Sequence, residues 1–142
     1  MKNMMDKIND AAQCGNCERL STLLHGVSLP NDYALGLAAI GGHVECVRLL
    51  IPVSTMHIKK TMAFRWAAQN NHVECVNELL AYSTVSSRTK ALKAAVVFQN
   101  QDMIDLLAPF SDVKRVYDEF VSKGLFKQAA LLETHKDHTI RR

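Results

Sequence analysis

Aromatic residues are scarce in this chain: they fill 6% of its positions, with a single tryptophan. They are too sparse among the basic residues to build the stacking platform that holds single-stranded nucleic acid. Charge is modest as well. A formal +3 and a pI of about 8.7 fall short of the ~9 typical of nucleic-acid domains. No apolar run approaches the ~18 residues of a membrane span. The opening MKNMMDKINDAA has acids where a secretory leader has its apolar stretch. The chain is therefore expected to stay in the compartment where it is made, with export by a system reading some other signal left open. G-x-S-x-G, H-E-x-x-H, the P-loop and G-x-G-x-x-G are all lacking. Without these signatures no catalytic activity and no cofactor are expected.

The four cysteines are too scattered for a structural metal. Cys14 and Cys17 form one C-x-x-C, but a zinc site needs a second pair. Cys46 and Cys75 are lone residues at matching places in two similar segments, where Cys acts as a small hydrophobe. Four free thiols are expected, suiting a reducing cytoplasm, with a redox-reactive Cys14 or Cys17 as the alternative. His135 and His138 have metal-like spacing but lie in a polar tail, where no fixed site is expected.

What the chain does contain is repetition. GGHVECVRLL, from Gly41 to Leu50, returns as NNHVECVNELL, from Asn70 to Leu80. Around these segments a longer pattern recurs: an apolar leading residue, a small pair, two variable positions, a Gly or Asn, and an apolar run ending in Leu-Leu. The leading residues Ile8, Leu35, Phe64, Leu92 and Tyr117 are separated by 27, 29, 28 and 25 residues. A second echo starts at Leu23, Leu49, Leu79 and Leu106 and reads LLHGVS, LLIPVS, LLAYST and LLAPFS. Self-similarity at such a period is the mark of a repeat architecture.

Each unit has helical spacing. Leu35, Ala38 and Ala39 share one face; Val44, Val47 and Leu50 share another. Gly15-Asn16, Gly41-Gly42 and Asn70-Asn71 interrupt the paired runs and tolerate the left-handed backbone of a tight turn. Pro30, Pro52 and Pro109 fall at or just beyond helix ends, where a missing N–H costs little. Trp66 is expected as a core anchor. Tyr33, Tyr82 and Phe110, near the unit junctions, are expected to pack. So short a helix pair cannot bury its apolar face alone and must stack on a neighbour.

This pattern resembles the ankyrin repeat: a leading Leu, Ala-Ala, two variable residues, Gly-His, then V-E-x-V-x-x-L-L. His43 and His72 stand at the turn histidine. The chain departs from the family in its opening, where Tyr33-Ala34-Leu35-Gly36 and Met62-Ala63-Phe64-Arg65 replace Thr-Pro-Leu-His. Its steps are also shorter than the usual ~33 residues. The resemblance implies an all-α ankyrin-type solenoid of about five stacked helix-turn-helix repeats with short inter-repeat loops and stunted or absent β-hairpins. The expected organisation is a single solenoid over 1–133, with units at about 4–30, 31–59, 60–87, 88–112 and 113–133, and a polar tail over 134–142. Asp10 and Glu119 replace the inner units' Leu37 and Trp66, as capping repeats require.

The resemblance also implies a side. In an ankyrin stack the loops and first helices line the concave face, and the second helices form the back. Lys59, Lys60, Arg65, Arg88, Lys90, Lys93, Lys114, Arg115 and Lys123 fall on the former. Glu18, Glu45, Glu74, Glu78, Asp102 and Asp105 fall on the latter. A basic concave face favours an acidic partner protein. The expected contact residues are Ile40, Gly41, Lys59, Arg65, Gln69, Asn70, Lys90, Lys93, Val97 and Phe98. The alternative is nucleic-acid binding through the same face. Compact ankyrin proteins of this kind are similar to those of bacteria, phages and large viruses. That likeness implies modulation of a host or defence protein, in the cytoplasm of the producing cell or of an infected host.

Overall fold

A computed structural model of the protein describes residues 3–25, 32–54 and 57–136. All regular structure among them is helical. The chain divides into two compact units, Met1–Ser83 and Thr84–Arg142.

The first unit contains three helix pairs: α1 (Met4–Cys14) with α2 (Cys17–Leu24), α3 (Asp32–Gly41) with α4 (Val44–Leu50), and α5 (His57–Gln69) with α6 (Val73–Leu79). The first helices pack in the order α1, α3, α5, and the second helices in the order α2, α4, α6. The second unit contains α7 (Val85–Val97) with α8 (Gln101–Leu107), and α9 (Val113–Ser122) with α10 (Phe126–Ala130). There α7 packs on α9 and α10.

Every pair closes through the same turn. Gly15, Gly42, Asn71, Gln99 and Gly124 all have positive φ, between 57° and 75°. Each lies seven residues after a leading residue. At each turn two hydrogen bonds cap the first helix. In the second repeat Gly42 N–H donates to Ala39 O and His43 N–H to Ala38 O; in the fifth, Gly124 N–H donates to Val121 O and Leu125 N–H to Phe120 O. This is the Schellman arrangement, which satisfies carbonyls that the helix end would otherwise orphan. In the first three repeats the small pair thus has two uses. Its side chains allow close packing, and its carbonyls accept the cap.

The second echo also has a structural cause. Ile51–Val53, Leu80–Tyr82 and Ala108–Phe110 are single 3-10 turns that follow α4, α6 and α8 directly. Each is closed by a serine N–H, of Ser54, Ser83 and Ser111, donating back at 3.2 Å. The Ser111 hydroxyl adds a buried bond to Leu107 O. Pro52 and Pro109 sit in the first positions of these turns, where no N–H is needed. Between Phe110 and α9 only Ser111 and Asp112 remain, which leaves no room for a hairpin. Pro30 lies outside the described residues.

Ile8, Leu35, Phe64 and Leu92 are buried, with Ala12, Ala38, Ala39 and Ala67 beside them. Tyr117 holds the fifth leading position but is only half-buried, and Val116 and Phe120 fill that core. The Leu-Leu echo does not keep one register, starting one residue earlier in the second and fourth repeats than in the first and third. Glu78 stands where the second repeat has Leu49, so Leu50 rather than Leu49 corresponds to Leu79; both are fully buried, while Leu49 is half-buried. Trp66 is half-buried as well. Its ring lies so close to Gly36 that a methyl group at that position would collide with it.

Histidine stitches the first unit. His43 lies against Gly15, and His72 against Gly42, leaving no space for a Cβ at either glycine. Nε2 of His43 is 3.1 Å from Gln13 O, and Nε2 of His72 is 2.9 Å from Ile40 O. A carbonyl only accepts, so Nε2 carries the proton in both rings. Each ring thereby caps the last turn of the preceding repeat.

These contacts separate two costs of a Cβ in a left-handed turn. Gly124, at φ 75° against 74° for Gly42, has nothing within 4 Å of an added Cβ. Gly124→Ala is expected to cost about 1–2 kcal/mol, the left-handed penalty alone. Gly42→Ala should cost clearly more, because the new methyl displaces His72. In a His72→Ala background its cost should fall to the Gly124 value. Chemical denaturation of the four variants checks this; equal costs for Gly42→Ala and Gly124→Ala would remove the ring contact from the account.

Candidate interaction surface

The first helices and their turns place the expected contact residues. In the first unit Ile40 and Gly41 end α3, Arg65 lies mid-α5, and Gln69 and Asn70 run from the end of α5 into the turn. All five are exposed. Two have structural duties. The Ile40 carbonyl accepts from His72, and the Asn70 side-chain amide donates to Trp66 O at 2.8 Å. Lys59 belongs to α5, but its side chain lies outside the described residues. Tyr33, on α3, is 65% exposed and does not pack as expected. Phe110 is half-buried, and Tyr82 is half-buried with the Lys60 ammonium 4.5 Å from its ring centre.

In the second unit Lys90 is exposed on α7, and Val97 and Phe98 stand out at its end. Phe98 is the C-cap of α7 and is 71% exposed. Lys93 is not a free cation. Its Nζ lies 2.8 Å from a Glu119 oxygen, and Glu119 also holds Lys123 at 3.0 Å. The two lysines hold the Glu119 carboxyl below the usual carboxylate range, mainly through the hydrogen bond from Lys93. Arg88, one of the expected surface cations, is buried, and burial lowers its pKa. A groove of about 340 Å³ lies along α7 and α9, with Lys90, Lys93 and Arg115 opposed by Asp112 and Glu119. Its walls are thus of mixed sign rather than uniformly basic.

On the second helices the acids are partly neutralised. Arg48 on α4 bonds Glu45 one turn away and reaches Glu78 on α6 at 2.9 Å. The Glu78 hydrogen bond is the main cause of a raised Arg48 pKa. Asp105 on α8 is 3.2 Å from His135 Nε2, so the first residues of the expected tail lie on the second unit. His138 lies outside the described residues.

The sequence reading missed some exposed apolar groups. Phe126, the first residue of α10, is 66% exposed, and Leu125 before it is also exposed. They occupy the turn that Lys123 and Lys127 flank. The signal was present as K-G-L-F-K, but the fifth repeat matches the pattern too weakly for spacing to show which way its side chains point.

Among the described residues no group of three or more His, Cys, Asp and Glu side chains could hold a metal ion. None of their helices is long and apolar enough to cross a membrane. All four cysteines are free. Burial pushes Cys46 up from the ordinary 9.0 to about 12, helped by its hydrogen bond with Cys17, and burial pushes Cys75 up to about 11. Both are therefore neutral thiols at physiological pH.

These raised thiols set a pH dependence. Unfolded cysteines release their protons near pH 9, whereas the folded ones keep them to about 11 and 12. The unfolded state is then favoured as pH rises, so the contribution of these two thiols is fully present below pH 9 and is lost between 9 and 12. Melting temperature measured from pH 8 to 10.5 should fall more steeply for the parent than for a Cys46→Ala, Cys75→Ala double variant. Identical slopes would contradict the burial assigned to these thiols.

A family model described as ankyrin repeats (3 copies) matches residues 8–85. No curated protein matches the chain.

Proposed function

The chain belongs to the ankyrin-repeat family, whose repeats generally mediate protein–protein interaction, and from that premise we propose that it binds a partner protein with an acidic surface. The observation that carries this reading is a set of large apolar side chains held in water beside unpaired cations. Val97 and Phe98 stand out from the end of α7, about two turns beyond the exposed Lys90 on the same helix; Tyr33 and Ile40 stand out on α3, with Arg65 exposed on α5. Apolar anchors ringed by charge are what a protein interface uses to combine lasting contact with steering. Each unit presents its own stretch of this surface. The helices are already ordered, so docking costs little further backbone entropy.

Lys93 takes a smaller part in this reading than Arg65 and Lys90, because Glu119 already neutralises it. The first helices do not form an unbroken basic stripe. Recognition then rests on separate cations set among apolar groups, which favours an acidic protein segment with hydrophobic side chains over a uniform phosphate backbone. Ankyrin-repeat proteins are typically non-catalytic binding modules, and this chain is read as one of them.

A partner recovered by cross-linking from the native cell allows a direct test. Arg65→Glu with Lys90→Glu should slow association and flatten its salt dependence. Phe98→Ala should act on dissociation, raising its rate about tenfold or more. Glu74→Lys with Asp102→Lys, on the second helices, should leave both rates nearly unchanged. Surface plasmon resonance at two salt concentrations checks all three. Binding lost only in the second-helix pair would put the interface on the wrong side. Retention on nucleic acid with a steep salt slope would favour the alternative reading instead.

A further inference from the structure

We propose that Cys17 and Cys46 form a dithiol pair that a hydroperoxide converts to a disulfide, clamping the second helix of the first repeat to that of the second. Cys17 is the first residue of α2 and Cys46 lies mid-α4, and these helices pack on each other. Their sulfur atoms are 2.7 Å apart, across 29 residues of chain. A disulfide bond is ~2.05 Å long, so the two sulfur atoms already stand within about 1 Å of bonding distance. Cys75 stands at the position in α6 equivalent to Cys46 and is buried, whereas Cys14 is exposed at the end of α1.

The two thiols divide the chemistry by access. Cys17 is half-buried and reaches solvent; Cys46 is fully buried. The hydroperoxide therefore reacts at Cys17. The sulfur attacks the peroxide O–O bond, takes one oxygen to become a sulfenic acid, and releases water or an alcohol. The Cys46 sulfur then attacks the Cys17 sulfur, the S–S bond forms, and the sulfenic oxygen leaves with the Cys46 proton as water. Two thiols lose two electrons, and the peroxide accepts them.

Access also governs the reverse step. A reducing thiol reaches Cys17 and not Cys46, so its attack must expel Cys46. Burial and the nearby Cys17 push that thiol up to about 12, which makes it a poor leaving group. Once formed, the bond should be slow to reduce. In a compartment whose glutathione pool keeps surface thiols reduced, a burst of hydroperoxide would leave its mark here after exposed thiols had recovered. The clamp is independent of the partner proposed above.

The test treats the full chain with hydrogen peroxide, then alkylates and digests it without reductant. The expected product is a peptide pair joined through Cys17 and Cys46, with free thiols in the denatured chain falling from four by two. Cys14→Ser and Cys75→Ser should leave the link intact. Cys46→Ser should abolish it and leave a Cys17 sulfenic acid that a 1,3-dione probe captures. Reduction of the link by dithiothreitol should be at least about tenfold slower than that of a glutathione adduct on Cys14 in the parent chain. A Cys14–Cys17 bond, oxidation confined to Cys14, or an unchanged thiol count would overturn the proposal. Equal reduction rates would overturn the protected bond.

Discussion

Five residues in the left-handed region hold this fold in its form. A helix that ends in the Schellman arrangement reverses at a fixed angle and satisfies its own last carbonyls, so a second helix returns along the first without a long loop. Gly15, Gly42, Asn71, Gln99 and Gly124 do this in turn. In the first unit the same turn receives the histidine of the next repeat, whose ring fills the space that a side chain on Gly15 or Gly42 would need. Local conformation and repeat-to-repeat contact therefore depend on one atom's absence. The turn also decides what is displayed. Residues just before it, such as Ile40, Val97 and Phe98, lie past the last buried small residue and remain exposed.

Much of this was legible in the sequence, because the constraint is local. Ala38-Ala39 and Gly42-His43 must follow one another at fixed spacing for the cap to form, and spacing is what a sequence displays. Gln99 shows the limit. It adopts a φ of 58° with no glycine or asparagine to announce it, and only its place in the repeat identifies it. The Leu-Leu echo misled for a related reason. Glu78 replaces the second repeat's Leu49, so a pattern matched on Leu-Leu slides by one position, while burial pairs Leu50 with Leu79.

Surface assignments were harder to read because they depend on neighbours distant in sequence. Lys93 and Arg88 both count as cations in a linear tally. In three dimensions Glu119 neutralises the first, and burial removes the second from the surface. Arg48 likewise offsets Glu45 and Glu78 on the second helices. The contrast between a basic first-helix side and an acidic second-helix side is therefore weaker than residue counts imply. Exposed apolar groups gain weight in its place, including Tyr33, Leu125 and Phe126, which spacing did not single out. Cys17 and Cys46 show the same limit. Each fits its own repeat as an ordinary residue, and only the packing of α2 on α4 brings their sulfur atoms together.

The histidine-filled turn carries the repeat-to-repeat contact, and solution NMR of the imidazole nitrogens tests it most directly. His43 and His72 should both be Nε2–H tautomers, with through-bond couplings to the carbonyls of Gln13 and Ile40, and the Gly15 and Gly42 couplings should report positive φ. Rapidly exchanging tautomers with no coupling to those carbonyls would contradict the account.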